Sequence, residues 1–283
     1  MSVAPCLPAL AECGCRVCGT EVTTAVRREP GGHVLHECGT CGVWSVWPSP
    51  PLDRLRAGYG ESYYAAWDGE ARARLRMWRR RLRFLRGAPG RALLDVGCAR
   101  GDFLEVAKAA GFEVQGTELS PHAAARARAR LGVPVHCGEL AEARFGSGSF
   151  AVVTLWHVLE HVLHPGRALA EAHRILEPGG RLVVAVPNRA CPLFRAAYRA
   201  ARGRKPHLYH PDDREQHLYH WEPRSLARAL GHAGFDVVRT TPDPCAIGAA
   251  KVAVDLAGRL HSALARAPRT AAMVAVAHRR GAS

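Results

Sequence analysis

The stretch from Arg91 onward restricts the fold more than any other part of the chain. In it, short runs of branched and aliphatic residues alternate with helical stretches. A chain that repeats strand, helix, strand in this way builds a parallel sheet covered by helices. Strands are expected at 91–96, 112–118, 133–137, 150–156, 180–186, 235–240 and 271–278. Helices are expected near 102–110, 121–131, 166–176, 190–202 and 223–233, with an extra one near 246–266. The fold class that follows is α/β: a doubly wound, mostly parallel seven-stranded sheet with helices on both faces, occupying 91–283.

Residues 1–50 obey a different rule. They are rich in Cys and Gly and short of helical periodicity, and six of the ten cysteines lie before residue 42. Cys15-Arg16-Val17-Cys18 and Cys38-Gly39-Thr40-Cys41 form two C-x-x-C pairs, each followed by glycine (Gly19, Gly42). Two-residue spacing lets both sulfurs of a knuckle reach one ion, and two knuckles supply the four thiolates of a tetrahedral structural Zn2+ site. Cys13, His33 and His36 are nearby competitors for a ligand position. The expectation is a small zinc-ribbon-like module closed by Cys15, Cys18, Cys38 and Cys41, stabilised by metal and carrying no zinc chemistry.

Between these regions, 51–90 reads as linker and helix. Pro48-Ser49-Pro50-Pro51 marks a joint, since each proline restricts the residue before it. Tyr59, Tyr63, Tyr64 and Trp67 follow, then a helix over about 70–86 with Leu75, Trp78, Leu82 and Leu85 on one face. The formal net charge is +14, which favours acidic partners in general. The basic residues are scattered arginines, and the densest group, Arg79-Arg80-Arg81 with Arg83, reads as a solvated helix face. No secretory signal and no membrane span is expected, because the nearest apolar run, 246–264, is broken by Lys251, Asp255 and Arg259. The chain is therefore read as cytoplasmic. Lys251, Asp255 and Arg259 stand beside a stripe of Val252, Leu256, Leu260 and Leu264, an amphipathic helix whose simplest use is packing on the domain.

Leu93-Leu94-Asp95-Val96-Gly97-Cys98-Ala99-Arg100-Gly101 is an apolar strand entering a glycine-bearing turn and then a helix. Such a turn brings backbone close to a ligand at the carboxyl end of the first strand. Glu118 ends the second strand, where a carboxylate can accept hydrogen bonds from both hydroxyls of a ribose. The third glycine of G-x-G-x-x-G is missing, which favours a nucleoside ligand without phosphates.

Leu94-Asp95-Val96-Gly97-Cys98, Gly116-Thr117-Glu118-Leu119-Ser120, His157-Val158-Leu159-Glu160-His161-Val162 and Leu176-Glu177-Pro178-Gly179-Gly180 occur in this order. As a set they resemble the successive motifs of class I, Rossmann-like S-adenosylmethionine-dependent methyltransferases, over about residues 90–240. The resemblance implies S-adenosyl-L-methionine as cofactor, with Asp95, Gly97 and Gly101 around its methionine part, Glu118 on the ribose and Glu139 near the adenine amine. Where that family usually has glycine this chain has Ala99, which fits without strain if its φ is negative.

Cysteine-rich amino-terminal modules joined to such domains are familiar in small-molecule methyltransferases, including some acting on nucleotide-linked sugars, and Cys15 through the tyrosines near 63 resembles that arrangement. Gln216-His217-Leu218-Tyr219-His220-Trp221 resembles, less specifically, a segment often near the acceptor. If the acceptor must lose a proton, the candidate bases are His157, just after the fourth strand, then His217 and His220. Glu160 and His161 read as helix-end or supporting groups, and Trp156, Tyr219 and Trp221 as pocket or core. The leading reading is methyl transfer to a small organic acceptor, a sugar or other biosynthetic intermediate. The rivals are an RNA methyltransferase, with zinc module and basic surface holding nucleic acid, and a cofactor-binding protein without turnover.

Overall fold

A computed structural model describes residues 14–21, 23–65, 71–203, 205–243, 245, 256–263 and 268–281. Two sheets organise them. The larger contains β4 (Ala92–Val96), β5 (Glu113–Glu118), β6 (Val135–Cys137), β7 (Phe150–Trp156), β8 (Leu176–Pro187), β10 (Phe235–Pro242) and β11 (Ala272–Arg279). Its spatial order is β10-β11-β8-β7-β4-β5-β6. Pairings among β6, β5, β4, β7 and β8 are parallel, and β11 runs antiparallel to both its neighbours. The strands outlined by hydrophobic runs are therefore all present, with β8 beginning earlier, at Leu176, than the expected 180.

Adjacent residues of the central strands serve opposite faces, as the two-residue period of a strand requires. Leu94, Val153 and Val184 join one apolar core with Leu169, Ala172 and Ile175 of α6 (Pro165–Ile175) and Leu226 and Ala229 of α8 (Pro223–His232). Leu93, Val152 and Val183 join the other, with Phe103, Leu104 and Ala107 of α4 (Asp102–Ala109) and Ala124 and Ala127 of α5 (Pro121–Leu131). Burial on both faces explains why these strands read as unbroken apolar runs. α7 (Pro192–Arg202) follows β8. Ser120 caps α5, its hydroxyl accepting from Ala123 N, and the left-handed Gly132 ends it.

The smaller sheet is antiparallel, β1 (Thr23–Arg28), β2 (Val34–Cys38), β3 (Trp44–Trp47) and β9 (Tyr219–His220), in that order. Its fourth strand comes from the carboxyl-terminal half: Trp44 pairs with His220 and Ser45 with Tyr219. Cys15, Val17, Leu35 and Val43 pack into the same core as α6 and α8. Gly166, at the start of α6, donates to Arg16 O at 3.0 Å, and a Cβ there would meet Val17 O at 2.5 Å. The cysteine knuckle thus rests directly on α6.

In 51–90 the chain forms α1 (Leu52–Gly58), α2 (Glu61–Ala65), α3 (Ala71–Arg81) and a 3-10 turn over Leu82–Leu85; Trp67 lies outside the described residues. The buried face of α3 and the turn after it matches the expected one in part: Trp78 and Leu82 pack against the core and Leu85 is buried. Leu75 is exposed, whereas Arg74, Met77 and Arg81 are buried, so the helix turns two arginines inward. Arg81, which reads from sequence as solvated, retains only 2% exposure.

Of the helix expected near 246–266, residues 256–263 are described and helical, and Lys251 and Asp255 lie outside the described residues. The described part packs through Gly258 and Ser262, with Leu256 and Leu260 exposed, so this part of the apolar stripe does not face the domain. No described helix is long and apolar enough to cross a membrane.

Candidate active site and metal centre

Strand order reverses at β4, whose neighbours β5 and β7 lead away to opposite edges. Ligands of open α/β sheets bind beyond the carboxyl ends of strands at such a switch point. A cavity of about 730 Å³ opens there, lined by residues following β4, β5 and β7 and by α1, α2 and α3.

The turn after β4 approaches the cavity closely. Gly97 has φ +69, and a Cβ on it would lie 2.5 Å from Val158 Cγ2, so only glycine fits. Ala99 also lies in the left-handed region, with φ +49. The negative φ under which alanine is unstrained is therefore not adopted, and the turn keeps its glycine-like shape at the expense of strain. Gly101 (φ +81) is the start of α4 and does not line the cavity; its missing Cβ accommodates Leu131 Cδ1, which a methyl would meet at 2.8 Å.

Asp95, Glu118 and Glu139 all line the cavity. Asp95 accepts the Thr154 hydroxyl at 2.6 Å, and burial pushes its carboxyl up to about 7 against that hydrogen bond. Glu118 accepts Ala99 N and Ser120 N, each at 2.9 Å, and the Tyr64 hydroxyl at 3.1 Å. Burial raises its carboxyl as well, with those hydrogen bonds opposing. Glu139 is half-buried and caps the 3-10 turn Leu140–Ala143 through a capping box with Glu142.

Beside these groups stand Tyr59, Tyr63, His157, Glu160, His161 and His217, in the same cavity. His157 has φ +58, an unusual conformation that aims its ring between two acids. Its Nε2 lies 2.9 Å from Asp243 and its Nδ1 3.3 Å from Glu160. Burial alone would lower its pKa, but hydrogen bonds with Asp243, Cys245 and Glu160 raise it well above the ordinary histidine value. Asp243 in turn receives two hydrogen bonds from Arg81, Nε to Oδ1 at 3.0 Å and Nη2 to Oδ2. The Arg81 guanidinium lies 4.6 and 4.7 Å from the ring centroids of Trp78 and Trp156, which themselves meet edge to face. Burial raises the Asp243 carboxyl, and the charges of Arg81 and His157 overcome this and hold it below its usual range.

His217 lines the cavity and burial depresses it to about 4, so it is neutral near pH 7. His220 is placed differently. It is buried in β9, does not line the cavity, and is depressed by burial to about 3. Trp156 borders the cavity, while Tyr219 and Trp221 belong to the core. Sequence reasoning does not bring Arg81 and Asp243 to the site, and the structure adds Glu160 and His161 to the cavity wall. The histidine-rich spacing in His157-Val158-Leu159-Glu160-His161 is a visible signal for the last two; nothing in the sequence links Arg81 to Asp243.

The four cysteines form a separate cluster. The sulfurs of Cys15, Cys18, Cys38 and Cys41 all lie within 4.8 Å of one another, with Cys15–Cys41 and Cys18–Cys38 each at 3.6 Å. His33 and His36 are not part of the cluster, and Cys13 lies outside the described residues. Gly19 and Gly42 donate to Cys15 O and Cys38 O, closing the two knuckles, and Cys41 N donates to the Cys38 sulfur at 3.4 Å. A tetrahedral ion with ~2.3 Å metal–sulfur bonds spaces its sulfurs by a little under ~4 Å, so the donor set fits such an ion.

A seven-stranded sheet of this order, with a nucleoside-sized cavity and a buried acid at its switch point, defines the class of S-adenosylmethionine-dependent methyltransferases. A sequence profile of the methyltransferase domain family matches residues 68–240, and the chain belongs to that family. It is 31% identical over 157 residues to a ubiquinone biosynthesis O-methyltransferase of Aromatoleum aromaticum, covering 53% of this chain and 66% of that protein. It is 38% identical over 107 residues to an uncharacterized 37.1 kDa protein in a transposon of Streptomyces fradiae, covering 35% and 31%. The matches thus span less than two thirds of these relatives' length. The fold is shared with a Thermotoga maritima S-adenosylmethionine-dependent methyltransferase described as a possible histamine N-methyltransferase (TM-score 0.56, 21% identity, covering 81% of this chain and 100% of that one). It is shared too with the 1,6-didemethyltoxoflavin-N1-methyltransferase of Burkholderia thailandensis, solved with 1,6-didemethyltoxoflavin and S-adenosylhomocysteine (TM-score 0.56, 19% identity, covering 91% and 100%).

Proposed function

We propose that the protein transfers a methyl group from S-adenosyl-L-methionine to a small organic acceptor, a sugar or other biosynthetic intermediate, and that Cys15, Cys18, Cys38 and Cys41 hold a structural zinc. The observation that carries the acceptor reading is one cavity of about 730 Å³ lined at once by Asp95, Gly97 and Glu118 and by Tyr59, Tyr63, His161 and His217. That volume falls in the range of small-ligand sites. Glu118 suits the cofactor ribose because it already accepts a hydroxyl, that of Tyr64, at 3.1 Å; the ribose would join or displace that tyrosine. Asp95 and Gly97 would border the methionine part and Glu139 the adenine, while Gly101 supports the turn from behind.

In this reading the cofactor supplies an electrophilic methyl group, and the chain's residues enclose and orient the acceptor for in-line approach. His157, its two nitrogens facing Asp243 and Glu160, is a fixed cation rather than a free base. His220 lies too far into the small sheet to touch the acceptor. Any proton that the acceptor loses leaves on the side of Glu160, His161 and His217. The RNA reading draws less support. Arg81, Arg74 and Arg181 are buried, so part of the +14 charge is used inside the fold.

Incubation with labelled cofactor, a small-metabolite extract and total cellular RNA tests the proposal. Label is expected in a metabolite whose accurate mass rises by one methyl group, and it should be lost in Glu118→Ala together with cofactor binding. Label in one defined RNA species and none in metabolites would transfer the assignment to the RNA rival. Cofactor binding with no transfer to any acceptor would support a protein without turnover.

A further inference from the structure

We propose that Glu160, His161 and His217 form a second metal site, distinct from the four-cysteine cluster, which binds one divalent cation and presents it to the acceptor. One ligand atom from each lies within 4.8 Å of the other two. All three residues line the cavity. The inference rests on the methyltransferase reading for its use, but not for its existence.

Three independent features point to a cation. Glu160 is fully buried; its Oε1 has a single long contact, His157 Nδ1 at 3.3 Å, and its Oε2 has no hydrogen-bond partner among the described residues. The charge of that imidazolium is shared, since its Nε2 lies 2.9 Å from Asp243. A buried carboxylate with one oxygen unmet is costly, and Oε2 is open to a further positive centre. His161 Nδ1 lies 2.9 Å from Gln216 O; a carbonyl only accepts, so Nδ1 carries the proton and Nε2 offers its lone pair. That outer-shell arrangement is how metal-binding imidazoles are oriented. The third feature is rigidity. The backbone carbonyl of Glu160 accepts Leu218 N at 2.8 Å and Tyr219 N at 3.2 Å, which ties the segment bearing His217 to the one bearing Glu160 and His161.

Two imidazoles and one carboxylate bind divalent first-row metals and leave coordination positions open, the pattern of reactive rather than structural sites. The open positions would take oxygen donors of the acceptor. A hydroxyl bound there loses its proton to solvent more readily. Its oxygen then forms the new bond to carbon while the sulfur–methyl bond breaks, its electron pair returning to sulfur. Such a site removes the need for the base that His157 cannot supply.

The test uses the full chain with its four-cysteine site filled by zinc, titrated with Mn2+ alone and followed by paramagnetic resonance and calorimetry. One further equivalent is expected to bind. His161→Ala and His217→Ala should each weaken it by at least roughly tenfold, the loss that removal of even an outer-shell partner causes, with S-adenosylhomocysteine binding retained as evidence of folding. Glu160→Gln, which keeps the shape and removes the charge, should behave alike. No Mn2+ beyond the zinc equivalent, or undiminished binding in folded His161→Ala and His217→Ala, would overturn the site. Mn2+ binding by a protein that fails to bind S-adenosylmethionine would preserve the site and sink the methyltransferase reading instead.

Discussion

Replacing Arg81 by methionine removes the guanidinium while keeping an apolar stem beside Trp78 and Trp156. The side chains of Arg81 and Asp243 are 2% and 0% exposed, so solvent screens their pairing little. Breaking a buried pair from one side costs about 3–5 kcal/mol, because the remaining charge is left without compensation. Asp243 keeps His157 at 2.9 Å, which places the expected loss at the lower end, about 3 kcal/mol. The cation–π attraction that is lost and the sulfur–aromatic attraction that replaces it are each of order ~1 kcal/mol and nearly offset. Urea unfolding should show the loss as a lower midpoint at unchanged slope, and melting should fall by about 6 °C at ~2 °C per kcal/mol for a chain of this size. Combining Arg81→Met with Asp243→Asn should recover about 2 kcal/mol relative to the sum of the single changes, since neither partner is then stranded. A single-variant cost under about 1 kcal/mol, with additive behaviour in the double, would refute the claim that this pair is electrostatically coupled inside the fold.

Ala99→Gly should stabilise the protein by about 0.5–1 kcal/mol, because relief of left-handed strain exceeds the added freedom of the unfolded chain; a loss of stability in denaturant would count against the strained turn. Asp95, held up to about 7, should make affinity for the cationic cofactor fall by up to about tenfold per unit as pH drops below about 7, since the protonated carboxyl no longer attracts it. Calorimetry at pH 6 and pH 8 giving equal affinity would remove Asp95 from the cofactor site. The same carboxyl binds a proton in the native state that the unfolded chain releases above about pH 4, so the cofactor-free protein should lose stability as pH rises from about 4 to about 7. Metal analysis should find near-stoichiometric zinc, diminished in Cys18→Ser and Cys38→Ser; full zinc in both would defeat the four-thiolate assignment.

The large sheet is legible in the sequence because its central strands are apolar on both faces and end at turns, as at Leu93-Leu94 and Val152-Val153. Hydrophobic periodicity needs only local sequence to show itself. The knuckles are legible for a related reason, since spacing alone brings their sulfurs together. α3 misleads because its inward face carries Arg74 and Arg81, whose acidic partners, Asp102 and Asp243, are distant in sequence. A buried arginine looks like a solvated one until its counter-ion is located in space. The same limit applies to His217 and His220, three residues apart in a segment too short to show a period. One faces the cavity and the other the small sheet, a distinction set by the pairing of Tyr219 and His220 with β3.

That pairing also fixes an order of events during synthesis. β3 is made early, but the strand that covers its edge, Tyr219–His220, emerges only after the central strands of the large sheet. Closing so long a loop adds little to the thermodynamic cost, which grows only with the logarithm of length, yet it makes the contact late. Until then Trp44–Trp47 presents an unpaired edge with two tryptophans, the kind of surface that recruits other chains. The emerging chain is therefore most exposed to misassociation after its cysteine knuckles exist and before residue 220 arrives, and early metal capture would shorten neither end of that interval.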